Sequence, residues 1–232
     1  MESRAWSGVI TQKLRELRVN NIVGLRRAAS HKAENFNSDR IIEMTERQRN
    51  LVLKHMAVHT IHPDGKTHAK ENPEDFLNEL SQSFGFNIKE QPDEVASVLG
   101  EAIRSHDATD IECALYLAGI VDFRPAFMPL LITILELPWH HSHEDIVATF
   151  QYLKAPEPVE ALYRTAFVEH EYRAYDEYFG LARRCTWALA DIGTGEAYAK
   201  LELLAQFNNP MIAAHAQKRI DSWEKEKTRK GA

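Results

Sequence analysis

Histidine offers this chain its clearest openings for chemistry, because several of its 11 copies are bunched. His55 and His59 stand four residues apart, on one face of a helix, with His62 and His68 beyond. Two imidazoles at that spacing can share a zinc ion. A hydrolytic site of that kind places Glu directly after the first His, and Met56 stands there instead. The simpler reading is a partly buried helix face. His140-His141-Ser142-His143 forms a second group. Side chains of adjacent residues at a helix entry diverge, so this run reads more simply as a solvated loop than as a ligand set. On sequence grounds both groups stay open as metal candidates. Two His-Glu pairs, His143-Glu144 and His170-Glu171, are further candidates of the same kind. Gly193-Thr194-Gly195 is too short for a phosphate loop and lacks its lysine, so it reads as a turn. Cys113 and Cys185 read as two small buried hydrophobes rather than a disulfide. No Ser or Cys stands in a nucleophile arrangement with a credible third member. The expectation is a protein that is not an enzyme and holds no cofactor.

A different pattern stands out between Val168 and Phe179. Glu169, Glu171, Asp176 and Glu177 alternate there with Tyr172, Tyr175, Tyr178 and Phe179. Tyrosine supplies rigid contact area and a hydrogen bond at low entropic cost, which is why it is enriched at interface hot spots. Glu169, Glu171, Tyr172, Tyr175, Asp176, Glu177 and Tyr178 are therefore the expected partner-binding residues. Trp139, in the corresponding connection about one repeat earlier, joins them. The bland alternative is that two aromatics face the core and the acids are ordinary solvated surface.

These residues must be positioned by helices. Apolar residues recur at helical spacing in Ile10, Leu14 and Leu17, and again in Leu51, Val52, His55 and Met56. Asn72-Pro73-Glu74-Asp75 has the composition of a helix start, running through Phe76, Leu77, Leu80 and Phe84 to a stop at Gly85. Gln91-Pro92-Asp93-Glu94 and Asp107-Ala108-Thr109-Asp110 open two more. Residues 30–38 and 60–72 read as loop and turn. No stretch alternates long enough for a half-buried strand. With 232 residues, 44% of them apolar, the chain can bury a sizeable core.

Three segments then align at a period of 36: Leu117, Leu153 and Leu189, with Cys113, Thr149 and Cys185 four positions earlier. Each is followed by a turn and a second helix, expected at 127–136, 158–167 and 197–207. A capping helix is expected at 210–223. A helix pair cannot bury its apolar face alone, and stacked neighbours bury it jointly.

The segment from Trp187 through Ala-Leu-Ala-Asp-Ile-Gly-Thr-Gly-Glu-Ala to Leu201 resembles the bacterial HEAT repeats of the phycobilin-lyase type. Asn209-Pro210 to Arg219 resembles the start of the next repeat. The resemblance is strongest over 176–223 and weaker over 107–170. It implies an all-α fold: a right-handed α-solenoid of HEAT-like helix pairs with a helical N-terminal extension. The expected division is a basic region 1–70 and a repeat domain 71–232, with repeats at about 73–106, 107–137, 143–168 and 176–207 and a cap at 210–224. It also implies protein binding along a helical surface. HEAT-type deoxyhypusine hydroxylases hold two irons on His-Glu pairs in several repeats. Here the register of His143-Glu144 gives Asp107-Ala108 and Phe179-Gly180, so that ligand set is missing.

Charge narrows the partner. Residues 1–70 hold 13 Lys and Arg against 7 Asp and Glu, while residues 71–232 hold 15 against 27. The basic first part (Arg15, Arg18, Arg26, Arg27, Arg47, Arg49, Lys54) is the only footprint for nucleic acid, and the acidic remainder is a poor one. An acidic, aromatic surface suits a basic protein partner. The expectation is a cytoplasmic immunity protein that neutralises a basic toxin. A general adaptor, a phycobilin-lyase-like enzyme and a nucleic-acid-binding HEAT protein of the DNA alkylation repair type are the alternatives. No apolar run is long enough to span a bilayer, and Met1 to Trp6 lacks the apolar core of a secretory signal.

Overall fold

The computed structural model describes residues 43–58 and 73–225. Among them are ten α-helices, two short 3-10 turns and no strand. No described helix is long and apolar enough to cross a membrane. His59, His62, His68, Arg15, Arg18, Arg26 and Arg27, the helix through Ile10 to Leu17, and the loops expected at 30–38 and 60–72 lie outside the described residues. The chain divides into two compact units between Ser142 and His143.

The first unit contains α1 (Glu46–Val58), α2 (Pro73–Phe84), α3 (Pro92–Ser105), α4 (Ala108–Ile120), a 3-10 turn (Pro125–Phe127) and α5 (Met128–Leu135). Thr45 and Gln48 start α1 with a reciprocal cap. The Gln48 side chain accepts from the Thr45 N–H at 2.8 Å, and Thr45 Oγ1 accepts from the Gln48 N–H at 3.3 Å. Gln48 Nε2 also donates to the Ser83 carbonyl at 2.8 Å, tying α1 to the end of α2. That helix ends at Gly85, whose φ of 74° is a backbone conformation glycine adopts without strain. α1 packs on α2 and α4, and α3 packs on α4 and α5. The described part of the expected N-terminal region, α1, thus packs within this unit.

The second unit contains α6 (His143–Leu153), α7 (Val159–Thr165), a 3-10 turn (Glu171–Arg173), α8 (Gly180–Ile192), α9 (Gly195–Ala205) and α10 (Pro210–Asp221). α8 packs against α6, α7, α9 and α10, and α9 packs in turn against α7 and α10. The joints have local causes. Gly193 closes α8 at φ 72°, Thr194 Oγ1 caps α9 by accepting from the Ala197 N–H, and Asn209 caps α10 through Met211 and Ile212.

The 36-residue columns are only partly matched in burial. Cys113, Thr149 and Cys185 are all buried, as are Leu117 and Leu189. Leu153 is half-buried, and Tyr152 beside it is exposed. α6 ends there because Lys154 turns left-handed, at φ 52°, ahead of Pro156. The 36-residue spacing is thus matched in burial at Cys113, Thr149 and Cys185 and breaks down at Leu153.

Candidate functional site

The segment that links α7 to α8 is the most distinctive feature of the second unit. It leaves α7 through Phe167 and Val168, makes the short 3-10 turn at Glu171–Arg173, and enters α8 at Gly180. Its two faces differ sharply. Tyr175 and Tyr178 are 67% and 71% exposed, and Glu169, Glu171 and Glu177 are exposed with them. Tyr172 and Asp176 turn inward. Five of the seven partner-binding residues expected on this segment are thus at the surface, and two anchor it from below.

The anchor is a polar knot built on Arg173, whose side chain is only 9% exposed. Its guanidinium forms short ion pairs with Glu144, on α6, and with Asp176 in the same loop. Arg184, on α8, adds a second cation to Glu144 at 3.1 Å. Burial would lower the Arg173 pKa, but Glu144 and Asp176 outweigh it and hold the guanidinium charged. Asp176 also accepts the Gly180 N–H at 2.7 Å, so its carboxylate sits on the positive end of α8. Burial pushes its pKa upward; the Gly180 N–H and Arg173 together hold it below the ordinary carboxylate value. A Cβ added to Gly180 would lie 2.9 Å from Asp176 Oδ2 and 3.1 Å from an Arg173 nitrogen, so a larger residue there would push the ends of those side chains aside. Phe179, just before it, is held at φ 50°, a strained conformation for an aromatic residue.

Imidazoles complete the knot. His143 is fully buried, its Nδ1 lies 2.8 Å from Tyr172 Oη, and its ring packs against that of His170 with centroids 3.8 Å apart. Burial pushes the Tyr172 phenol well above its ordinary pKa. The two His-Glu pairs therefore do meet, although they are out of register in the sequence. They contribute both histidines but only one carboxylate, since Glu171 faces solvent. The counter-charge of Glu144 is a pair of guanidiniums, at the place where a metal-binding carboxylate would face its ion.

The other histidine group is structural in a different way. His140 is fully buried rather than solvated. Its Nε2 lies 2.6 Å from the Ile134 carbonyl, and its Nδ1 accepts the Ser142 N–H at 3.0 Å. Both nitrogens are used, with the proton on Nε2. Burial lowers the pKa of the neighbouring His141. Trp139 is half-buried and stacks on His106, centroids 5.0 Å apart. In the first unit, His55 is buried, stacks parallel on Phe76 and shares a short hydrogen bond with Tyr116. Among the described residues no three His, Cys, Asp or Glu side chains converge as metal ligands. Both cysteines are free and buried, and burial pushes the Cys113 thiol up to about 12 and that of Cys185 further still. Such thiols are poor nucleophiles.

Sequence patterning missed Arg173, in the loop, and Arg184, on α8, because an Arg among polar residues carries no signal of its partner. The one available hint was Gly180 at the helix entry, a place where a side chain is normally tolerated. Comparison with protein-family models, with curated proteins and with solved structures returns no match.

Proposed function

We propose that this is a non-catalytic, protein-binding scaffold of the HEAT-like kind, a right-handed α-solenoid whose second unit presents an acidic, tyrosine-bearing loop to a basic protein. In its most specific form it is an immunity protein that neutralises a basic toxin. One observation carries the reading. The linking segment shows Tyr175, Tyr178, Glu169, Glu171 and Glu177 to solvent, while Arg173, Asp176 and Tyr172 clamp it from below. A loop held this way loses little conformational entropy on binding, so more of its contact energy appears as affinity. The packing of α8 against both α6 and α10 is consistent with the repeat reading, and the acidic balance of residues 71–232 supports a basic partner.

The test uses the tagged full chain as bait in lysate of its own cell, washed at low salt and at about 0.5 M salt, where charge attraction is screened. The expected result is a basic protein retained at low salt, and lost from Tyr175→Ala/Glu177→Lys bait whose helicity and melting are unchanged. Equal retention by that variant discards the loop as the binding surface.

A further inference from the structure

The eight large apolar side chains exposed among the described residues all belong to the second unit. Four of them are aliphatic or phenylalanine residues at the C-terminal ends of two neighbouring helices. Phe167 and Val168 lie just past the end of α7, at 37% and 47% exposure. Leu203 and Phe207 stand one turn apart near the C-terminal end of α9, at 48% and 41%. The helices pack side by side, and the Phe167 and Phe207 rings stack with centroids 5.4 Å apart. Tyr163, one turn back on α7, meets the Phe167 ring edge-on at 5.3 Å. The result is a short, exposed apolar strip at the C-terminal ends of two packed helices. Exposed strips of this kind mark places where another chain docks.

The rim states the charge of that chain. Glu169 and Glu171 follow directly on Val168, Glu202 precedes Leu203, and Glu177 lies further along the same loop; all four are exposed. None of them makes an ion pair among the described residues, whereas the two nearby cations on these helices, Arg164 and Lys200, both bond to Glu160. The strip therefore has exposed acids next to it in the chain, on the loop and on α9, that no described cation neutralises.

From this we infer that the strip formed by Phe167, Val168, Leu203 and Phe207 is the seat of an amphipathic cationic helix on the protein partner. This deepens the proposed function and rests on it, since it names the element by which a basic partner is gripped. A helix laid along the two existing helices buries one apolar stripe against the strip, with residues at i, i+3, i+4 and i+7 as its anchors. Lys or Arg on the flank of that helix then meets Glu169, Glu171 and Glu202. An extended strand gains nothing comparable here, because the strip offers no unpaired backbone edge.

The probe is a fluorescein-labelled peptide of about 18 residues, five turns of helix, built of Leu and Lys in an amphipathic pattern. Its control is the same composition scrambled. With the full chain, the patterned peptide is expected to saturate at one per chain, to turn helical by circular dichroism, and to bind at least about tenfold better than the scrambled one. Leu203→Ser/Phe207→Ser should weaken it by about tenfold, and Glu169→Gln/Glu171→Gln should flatten its salt dependence. Both pairs are exposed, so melting temperature should hold and rule out unfolding. Equal binding of the scrambled peptide, or indifference to the Leu203/Phe207 change, overturns the inference. So does sedimentation showing a concentration-dependent dimer that the same change abolishes, because the strip then seats a second copy. The proposed function is judged separately, by retention of the natural basic protein on Tyr175→Ala/Glu177→Lys bait. A partner lost there but kept by the Leu203/Phe207 variant sinks only the helix seat.

Discussion

The two units solve the same problem with the same parts and arrive at different surfaces. Each buries an arginine-carboxylate pair beside a histidine-tyrosine pair. In the first unit Arg49 holds Asp110 at 2.7 Å and His55 bonds Tyr116, and both contacts join α1 to α4. Two regular helices are pinned, and no large apolar side chain of that unit is exposed among the described residues. In the second unit Arg173 holds Glu144 and Asp176, and His143 bonds Tyr172. Here the arginine, the tyrosine and one carboxylate all come from a loop. A buried polar cluster that pins helices stiffens a core; one that pins a loop fixes whatever that loop shows to solvent. The comparison therefore assigns helix pairing to the first knot and display to the second.

The largest effect is expected where the comparison is most exposed to failure. Arg173→Met leaves Glu144 and Asp176 without their shared cation, and removing one partner of a buried pair costs about 3 kcal/mol. Arg49→Met should cost less, about 1–2 kcal/mol, because the Arg49 side chain is 28% exposed and solvent screens that pair more than the Arg173 one. Chemical denaturation measures both. Hydrogen exchange should show the Arg173 change freeing residues 168–179 and the Arg49 change freeing the α1–α4 contact. Equal losses with the loop still protected would erase the distinction between the knots.

Acid should separate the units next. Asp176 is held below its ordinary carboxylate pKa by the Gly180 N–H and Arg173, which together outweigh burial. A group depressed in the fold contributes stability above its unfolded pKa, and that contribution disappears as pH falls through the folded value. The loop should therefore loosen below about pH 4, with protection of the Gly180 amide lost first. Asp176→Asn should remove that part of the acid dependence. A variant that follows the wild-type acid curve would show that Asp176 does not contribute to it.

The smallest effect tests what the units share. Asp107→Ala at the start of α4 and Asn209→Ala at the start of α10 each remove a side-chain cap, from Thr109 N and Met211 N respectively. Each should cost about 1 kcal/mol in thermal melting, with no change in loop exchange. A markedly larger loss at Asn209 would mean that α10 is held mainly from its end.

Much of this was legible from residue types alone, because helix starts and stops are local. Pro92 and Asp107 open α3 and α4, Gly85 and Gly193 close α2 and α8, and the turn at Gly193-Thr194-Gly195 falls between α8 and α9 as read. The second helices appear within two or three residues of their expected spans. The exposure of Tyr175, Tyr178, Glu169, Glu171 and Glu177 was also readable, since an acid-rich, aromatic run outside the apolar period has little reason to bury entirely. The inward turn of Tyr172 and Asp176 was not, and nor was the burial of His140.

The amino-acid sequence by itself determined an all-helical chain, its helix boundaries in both units, and the placing of a charged aromatic loop between α7 and α8. Those follow from caps, periodicity and turn residues, which act over three or four positions. Only the tertiary structure decided which charges are buried together. Arg173 meets Glu144 across 29 positions, Arg184 meets it across 40, and His143 meets His170 across 27. Ion pairing and desolvation depend on distance in space, and no local rule carries that distance. The same is true of the exposed strip at Phe167 and Phe207, which exists because α7 and α9 pack together and bring the turns at their ends into contact.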